Sequence, residues 1–153
     1  MRFLKGCIGF GGFAAAVLAS APHAAAEATG VFDVDIGKAC WFAGYTNSAA
    51  VWTVTVKDGD DIVLVLEGSG VNFAPMNVAQ GNARFDVKSG VSASFKATYG
   101  GSALNGRVKF MNGLIPSDSG DPALFHTTVG GEDSTDDDWQ DLVLNVTCLH
   151  HAG

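Results

Sequence analysis

Six of the ten residues at 132–141 carry carboxylates, in the run Glu132-Asp133-Ser134-Thr135-Asp136-Asp137-Asp138-Trp139-Gln140-Asp141. Two like charges ~6 Å apart in water repel by about 0.7 kcal/mol, so the pairs among six carboxylates add up to several kcal/mol before salt screens them. A run this dense either lies open to solvent, the usual fate of acidic stretches, or collects cations. Its donors are all hard oxygens, which suits calcium with its ~6–8 oxygen ligands at ~2.3–2.6 Å. Zinc would call for His or Cys, and the run has neither. The spacing is not that of an EF-hand, because the glycine at the sixth position and the glutamate at the twelfth are missing. The glycine-rich nonapeptide of calcium-binding β-helices is missing too.

The segments that must hold such a run read as strands. Helix-period patterns are lacking, and short β-branched and aromatic runs alternate with Gly, Asn, Asp and Ser at intervals of about ten residues, the pattern of an all-β sandwich. Strands are expected at 30–36, 39–46, 51–57, 61–67, 83–87, 91–99, 106–111, 124–129 and 141–149. The expectation is therefore a single-domain antiparallel β-sandwich of about nine short strands. Asp58-Gly59 between valine-rich runs supplies the positive-φ turn of a tight hairpin, and Gly100-Gly101 does the same. The 20 glycines and 10 phenylalanines fit many turns around a β core. Residues 111–122, with Gly113, Pro116, Gly120 and Pro122, read as a long irregular surface loop.

Residues 1–26 stand apart from this pattern. A basic start at Arg2 and Lys5, an apolar stretch from Gly6 to Ala19 and the small residues Ala24-Ala25-Ala26 read as a secretory signal peptide cleaved after Ala26. The expected domains are thus 1–26 as signal and 27–153 as the mature domain, secreted or periplasmic. No later stretch is apolar for the ~20 residues of a membrane span, so membrane insertion is not expected. Losing Arg2 and Lys5 takes the formal charge from −7 to −7 − 2 = −9, which makes nucleic acid and anionic membrane poor partners. Cys7 falls in the signal segment. Cys40 and Cys148 remain, and in an exported chain they are expected to pair, the alternative being two buried thiols.

With these residues in place, the chain resembles the bacterial fucose- and mannose-binding lectins of the LecB type. The stretch from Val129 through Gly130-Gly131 and the acidic run into Leu142-Val143-Leu144-Asn145 is similar to that family's calcium loop and last strand. Gly30-Val31-Phe32 is similar to its first strand, and Asn47-Ser48-Ala49 falls at its calcium-binding asparagine and sugar-contacting loop. The match runs without gaps to about Gly68, loosens from Val71 to Val108 and returns at Val129.

The resemblance implies two calcium ions per site that directly coordinate fucose or mannose hydroxyls, with Asn47, Glu132, Asp136, Asp138, Gln140 and Asp141 as ligands. It implies sugar contacts from Ser48, Ala49, Asp133 and Asp136. Ser48 at the head of the Ser48-Ala49-Ala50 loop leans the preference to fucose, and Val71 falls near the position that packs a sugar methyl. It also implies a homodimer or homotetramer in which the C-terminal carboxylate, here that of Gly153, completes a partner's site. The chain departs from the family pattern in three places: Gln140 and Asp137 each stand where the family has asparagine, and Gly153 lies twelve residues beyond Asp141, farther than in the family.

Other readings of the same residues stay open at this point. Trp41 and Trp52 sit in strand patterns and read as core, while Trp139 is either a packing residue or a sugar-stacking one. His150-His151 reads as a solvated tail, and His126 has no evident partner. The sequon at Asn145 lies in an expected strand of a bacterial-looking chain and is discounted. No G-x-S-x-G or H-E-x-x-H occurs, and no enzyme is expected, although two nearby acids could in principle cleave a glycoside. The alternative to a lectin is a structural adhesin or surface module in which calcium only stiffens the loop.

Overall fold

The computed structural model describes residues 27–149, apart from 33, 35, 117, 119–121, 135 and 137. These residues form ten strands: β1 (Ala28–Phe32), β2 (Ala39–Asp58), β3 (Asp61–Pro75), β4 (Asn77–Gly81), β5 (Arg84–Asp86), β6 (Val91–Tyr99), β7 (Ser102–Ala103), β8 (Arg107–Pro116), β9 (Pro122–Glu132) and β10 (Leu142–Leu149). All pairings are antiparallel, in the order β1-β6-β2-β10-β9-β8, with β3 and β5 also on β2, β4 on β3 and β7 on β6. No helix among the described residues is long and apolar enough to cross a membrane.

The sheet curls until its two ends meet through aromatic rings. Phe32 of β1 lies 5.7 Å from Phe110 of β8, ring centre to ring centre, and Phe110 lies 6.1 Å from Phe95 of β6, both edge-on. A side chain at Gly30 would collide with the Phe110 ring, so glycine is what lets β1 and β8 approach. Inside, alternate residues of several strands form the core: Phe42, Trp52, Val54 and Val56 from β2, Leu64 and Leu66 from β3, Val91 and Phe95 from β6, Val129 from β9, and Leu142, Leu144 and Val146 from β10.

β2 organises the rest. Over its twenty residues every even-numbered position from Cys40 to Asp58 is buried. Residues 39–46 pair with β10 and residues 51–58 with β6, so the strand changes neighbour in between. Its ladder to β3 is irregular over the same stretch, between Thr46 and Trp52. That corner carries Asn47 and Ser48.

Several expectations change. The expected strands 39–46 and 51–57 are one strand, because burial alternation runs straight through the corner. β4 was not foreseen, since all five of its residues are exposed and give no amphipathic signal. The short β7 follows from the Gly100-Gly101 turn, with φ of 57° and 83°. The irregular loop expected at 111–122 is mostly ladder: β8 runs to Pro116 and β9 starts at Pro122. Glycine and proline there read as a loop, but β8 is a sheet edge with exposed residues, where both are tolerated. Gly59 has φ 62° in the β2–β3 turn, as its sequence implied. Trp52 is fully buried, whereas Trp41 is only half-buried, with the Arg84 guanidinium 5.0 Å above its ring.

Cys40 and Cys148 are bonded, facing one another across β2 and β10 with Cα atoms 4.0 Å apart. The bond closes a sequence separation of 108 residues, which constrains the unfolded chain by about 4–5 kcal/mol. It sits six residues along β10 from the strand's start beside the acidic loop, ~20 Å away. Replacing both cysteines by alanine is expected to lower unfolding free energy by roughly 3–5 kcal/mol in denaturant titration while leaving cation affinity at the loop within about twofold. An unchanged midpoint would show that the bond contributes nothing.

Candidate functional site

Residues 133–141 join β9 to β10, and the last ladder pair before this loop is Gly131 with Leu142. A Cβ at Gly131 would lie 2.8 Å from the Leu142 Cβ and 3.1 Å from the Trp52 ring, so the loop is seated directly on the core. Asn47 N donates to the Asp141 carbonyl at 3.0 Å, which ties the corner of β2 to the end of the loop.

Glu132, the last residue of β9, is fully buried at the loop's base. Burial raises the pKa of its carboxyl, but donors outweigh that effect and hold it below the ordinary glutamate value. Ser134 N (2.8 Å) and Ser134 Oγ (3.1 Å) donate to Oε1, and Trp139 N donates to Oε2 at 3.4 Å. Asp141, 9 % exposed, behaves oppositely. Burial pushes its carboxyl up, and although Asp133 N donates to Oδ2 at 2.9 Å, the charges of Asp133, Asp138 and Glu132 raise it further, to about 6.

The carboxylates form two groups with a member in common. Oxygens of Glu132, Asp136 and Asp138 lie within 4.8 Å of one another, and so do oxygens of Glu132, Asp133 and Asp141. Two oxygens on opposite sides of a calcium ion are about 4.6–5.2 Å apart, twice the usual bond length. Size and all-oxygen chemistry therefore both fit a hard divalent cation in each group, with Glu132 common to the two.

The other expected residues sort around these groups. Ser48 Oγ donates to Asp133 Oδ2 and accepts from Ala50 N at 2.9 Å, so the corner of β2 and the loop share one polar pair. Asn47 lies beside Asp141 through its backbone, and its Oδ1 accepts Asn72 N at 2.8 Å. Gln140 turns its amide nitrogen to Asp138 Oδ2 at 2.9 Å and so braces that carboxylate. Ala49 is exposed next to Ser48. Asp137, Gly153, His150 and His151 lie outside the described residues.

Two residues at the site, Arg107 and Lys109, were not foreseen, and both lie against Trp139. Trp139 is half-buried with φ 53°. Its ring lies under Arg107 at 5.0 Å and Lys109 at 3.7 Å from the centroid, and Arg107 also donates to the Ser134 carbonyl at 3.3 Å. Lys109 pairs in register with Gly130, where a Cβ would meet the Trp139 carbonyl at 2.9 Å. The alternation Arg107-x-Lys109 was the available signal, but only the β8–β9 ladder shows that it flanks the loop. His126, which lacked a sequence partner, has Nδ1 3.1 Å from Thr147 Oγ1 and Nε2 3.0 Å from Thr128 Oγ1.

An all-β scaffold of this kind is shared with a known class of sugar-binding proteins. The family model for fucose-binding lectin II (PA-IIL) matches residues 32–150, and the chain belongs to that family; it is a carbohydrate-binding lectin and not an enzyme. Similar solved structures include the Chromobacterium violaceum lectin CV2L in complex with alpha-methyl-fucoside, at 19% identity over 77% of this chain and 94% of that one, TM-score 0.56. A high-affinity mannose-binding lectin of Ralstonia solanacearum is similar at 19% identity, with the same coverages and TM-score 0.56. The C-terminal domain of the BC2L-C lectin from Burkholderia cenocepacia is similar at 16% identity over 80% and 97% of the two chains, TM-score 0.55. At these identities the likeness to solved structures concerns the fold. No curated protein sequence matches the chain.

The raised Asp141 pKa makes a test. The folded chain keeps a proton up to about pH 6 that the unfolded chain releases near 3.8, so metal-free stability falls as pH rises between the two, by at most about 3 kcal/mol. Glu132, held low, contributes in the other direction only below about 4.5. Melting the metal-free protein from pH 4.5 to 6.5 should show a falling midpoint, flattened in Asp141→Asn; a midpoint that rises in the wild-type protein would contradict the assignment.

Proposed function

We propose that the chain is a calcium-dependent lectin that binds fucose-like sugars through two calcium ions. The observation that carries this reading is the pair of carboxylate groups sharing Glu132, set beside the Ser48–Asp133 pair. Glu132, Asp136 and Asp138 would hold one ion and Glu132, Asp133 and Asp141 the other, with the Asn47 amide oxygen and Gln140 completing the shell. Calcium supplies coordination positions for neighbouring sugar hydroxyls and balances the negative charge of the loop.

The chain's residues then orient the sugar. The Ser48 hydroxyl and the Asp133 carboxylate are already bonded to each other, so a sugar hydroxyl meets oxygen acceptors held in fixed relation. Asp136 and Ala49 would add further contacts to the sugar. Val71, 62 % exposed beside this corner, offers an apolar contact to a methyl group, which favours fucose over mannose. Among the similar structures one holds a methyl fucoside and another is a mannose binder, in keeping with this sugar class.

The remaining parts of the proposal concern setting. Residues 1–26 direct export and are removed after Ala26, which agrees with the disulfide. The protein works as a homodimer or homotetramer, so that multivalent display adds avidity to a small monosaccharide contact.

Calorimetric titration with fucose and mannose, in calcium and in chelator, tests the whole. Saturable binding in calcium and none in chelator is expected, and Asp138→Ala should weaken sugar binding by more than about a hundredfold while the melting temperature of the metal-free form stays within a few degrees. Unchanged sugar affinity in that variant would overturn the site. Chelator-sensitive melting without any sugar binding would make the loop a structural calcium site instead.

A further inference from the structure

Opposite the corner of β2, the chain of β3 does something unusual. Ser48 pairs with Gly70 and Thr46 with Ala74, so three residues of β3, 71–73, face Asn47 alone. They arch over it, with Asn72 N donating to Asn47 Oδ1 at 2.8 Å. Asn72 has φ 62° and Phe73 φ 54°. The left-handed region is accessible to asparagine, but for phenylalanine it is an outlier, and glycine would take it without strain. Phe73 is nevertheless 50 % exposed, so burial of its ring does not offset the strain, and Val71 beside it is 62 % exposed.

Single apolar residues on a surface are ordinary. A strained aromatic held out to solvent on the rim of a binding site is not, because strain of this kind persists where the surroundings enforce it and collects where it serves a ligand. The enforcing contacts are visible: the Asn72–Asn47 bond on one side, and the pairing of Thr46 with Ala74 and Tyr45 with Pro75 on the other.

We infer that Phe73 is the platform of a second subsite, which takes the group linked to the sugar held at the acidic loop. That group is either the next pyranose, through its carbon-bound hydrogen face, or an aromatic aglycone; both bury apolar area against a ring. The inference rests on the proposed lectin site and adds to it the class of ligand, a glycan or glycoside extended beyond one sugar. Asn72 fixes the arch through a candidate calcium ligand, so the platform and the ion site are built from the same corner.

Calorimetric titration in calcium compares methyl α-fucoside, 4-nitrophenyl α-fucoside and a fucosyl disaccharide on three proteins. The wild type is expected to bind the nitrophenyl glycoside about fivefold or more tightly than the methyl one. Phe73→Gly should keep methyl fucoside affinity within about twofold, lose most of that gain and melt no lower than the wild type, since glycine accepts φ 54° freely. Phe73→Tyr should keep the gain. A matching gain with the disaccharide assigns the platform to a second sugar, and a gain confined to the nitrophenyl glycoside assigns it to an aglycone. If Phe73→Gly leaves the gain intact, or weakens methyl fucoside equally, the platform is refuted while the lectin site stands. Absence of methyl fucoside binding by the wild type in calcium refutes both.

Discussion

A carboxylate with no access to solvent, Glu132, is the constraint around which this molecule is arranged. Burying a lone charge costs several kcal/mol, and the chain meets that cost with donors from Ser134 and Trp139, both supplied by the loop that Glu132 itself begins. The loop therefore cannot be a loose acidic tether. Its shape is set by the need to point backbone N–H groups inward at one side chain, and that shape is what brings Asp133, Asp136, Asp138 and Asp141 within one ion's reach of Glu132.

The balance is incomplete at Asp141, and this links stability to ligand. Its carboxyl sits beside three others with a single backbone donor to help it, so without a cation the cluster retains a proton that an exposed aspartate would give up. Any ion that binds only the folded loop stabilises the fold by mass action and displaces that proton as it enters. Gln140 and the stacked Trp139, Arg107 and Lys109 limit how far the loop can relax in the meantime. Positive charge on the outer side of the loop thus offsets part of the repulsion within it.

A near-closed sheet is a sound base for such a site. β2 crosses the molecule, takes different neighbours at its two ends and bends between them, so that Ser48 and Asn47 project where the β9–β10 loop passes. The far end is held by the disulfide and the edges by phenylalanine rings. A rigid scaffold and a charged, strained rim are thereby kept in separate parts of one small domain, which is the usual way a site tolerates local cost.

Much of this was legible in the residues alone. Period-two alternation, Gly59 and Gly100-Gly101 mark an all-β chain with tight hairpins, because side chains of a strand alternate between core and solvent and certain turns require positive φ. The crowding of six acids marks the site, since electrostatic repulsion is a property of composition and spacing. Pairing was not legible. That β2 is one bent strand, that Asn72 bonds Asn47, that Arg107 and Lys109 cover Trp139 and that Phe73 stands on the rim all depend on contacts between residues far apart in the chain. Local pattern tells which side of a strand a residue occupies; only the closed ladder of strands decides what lies opposite it, because register is settled by the burial of all strands together.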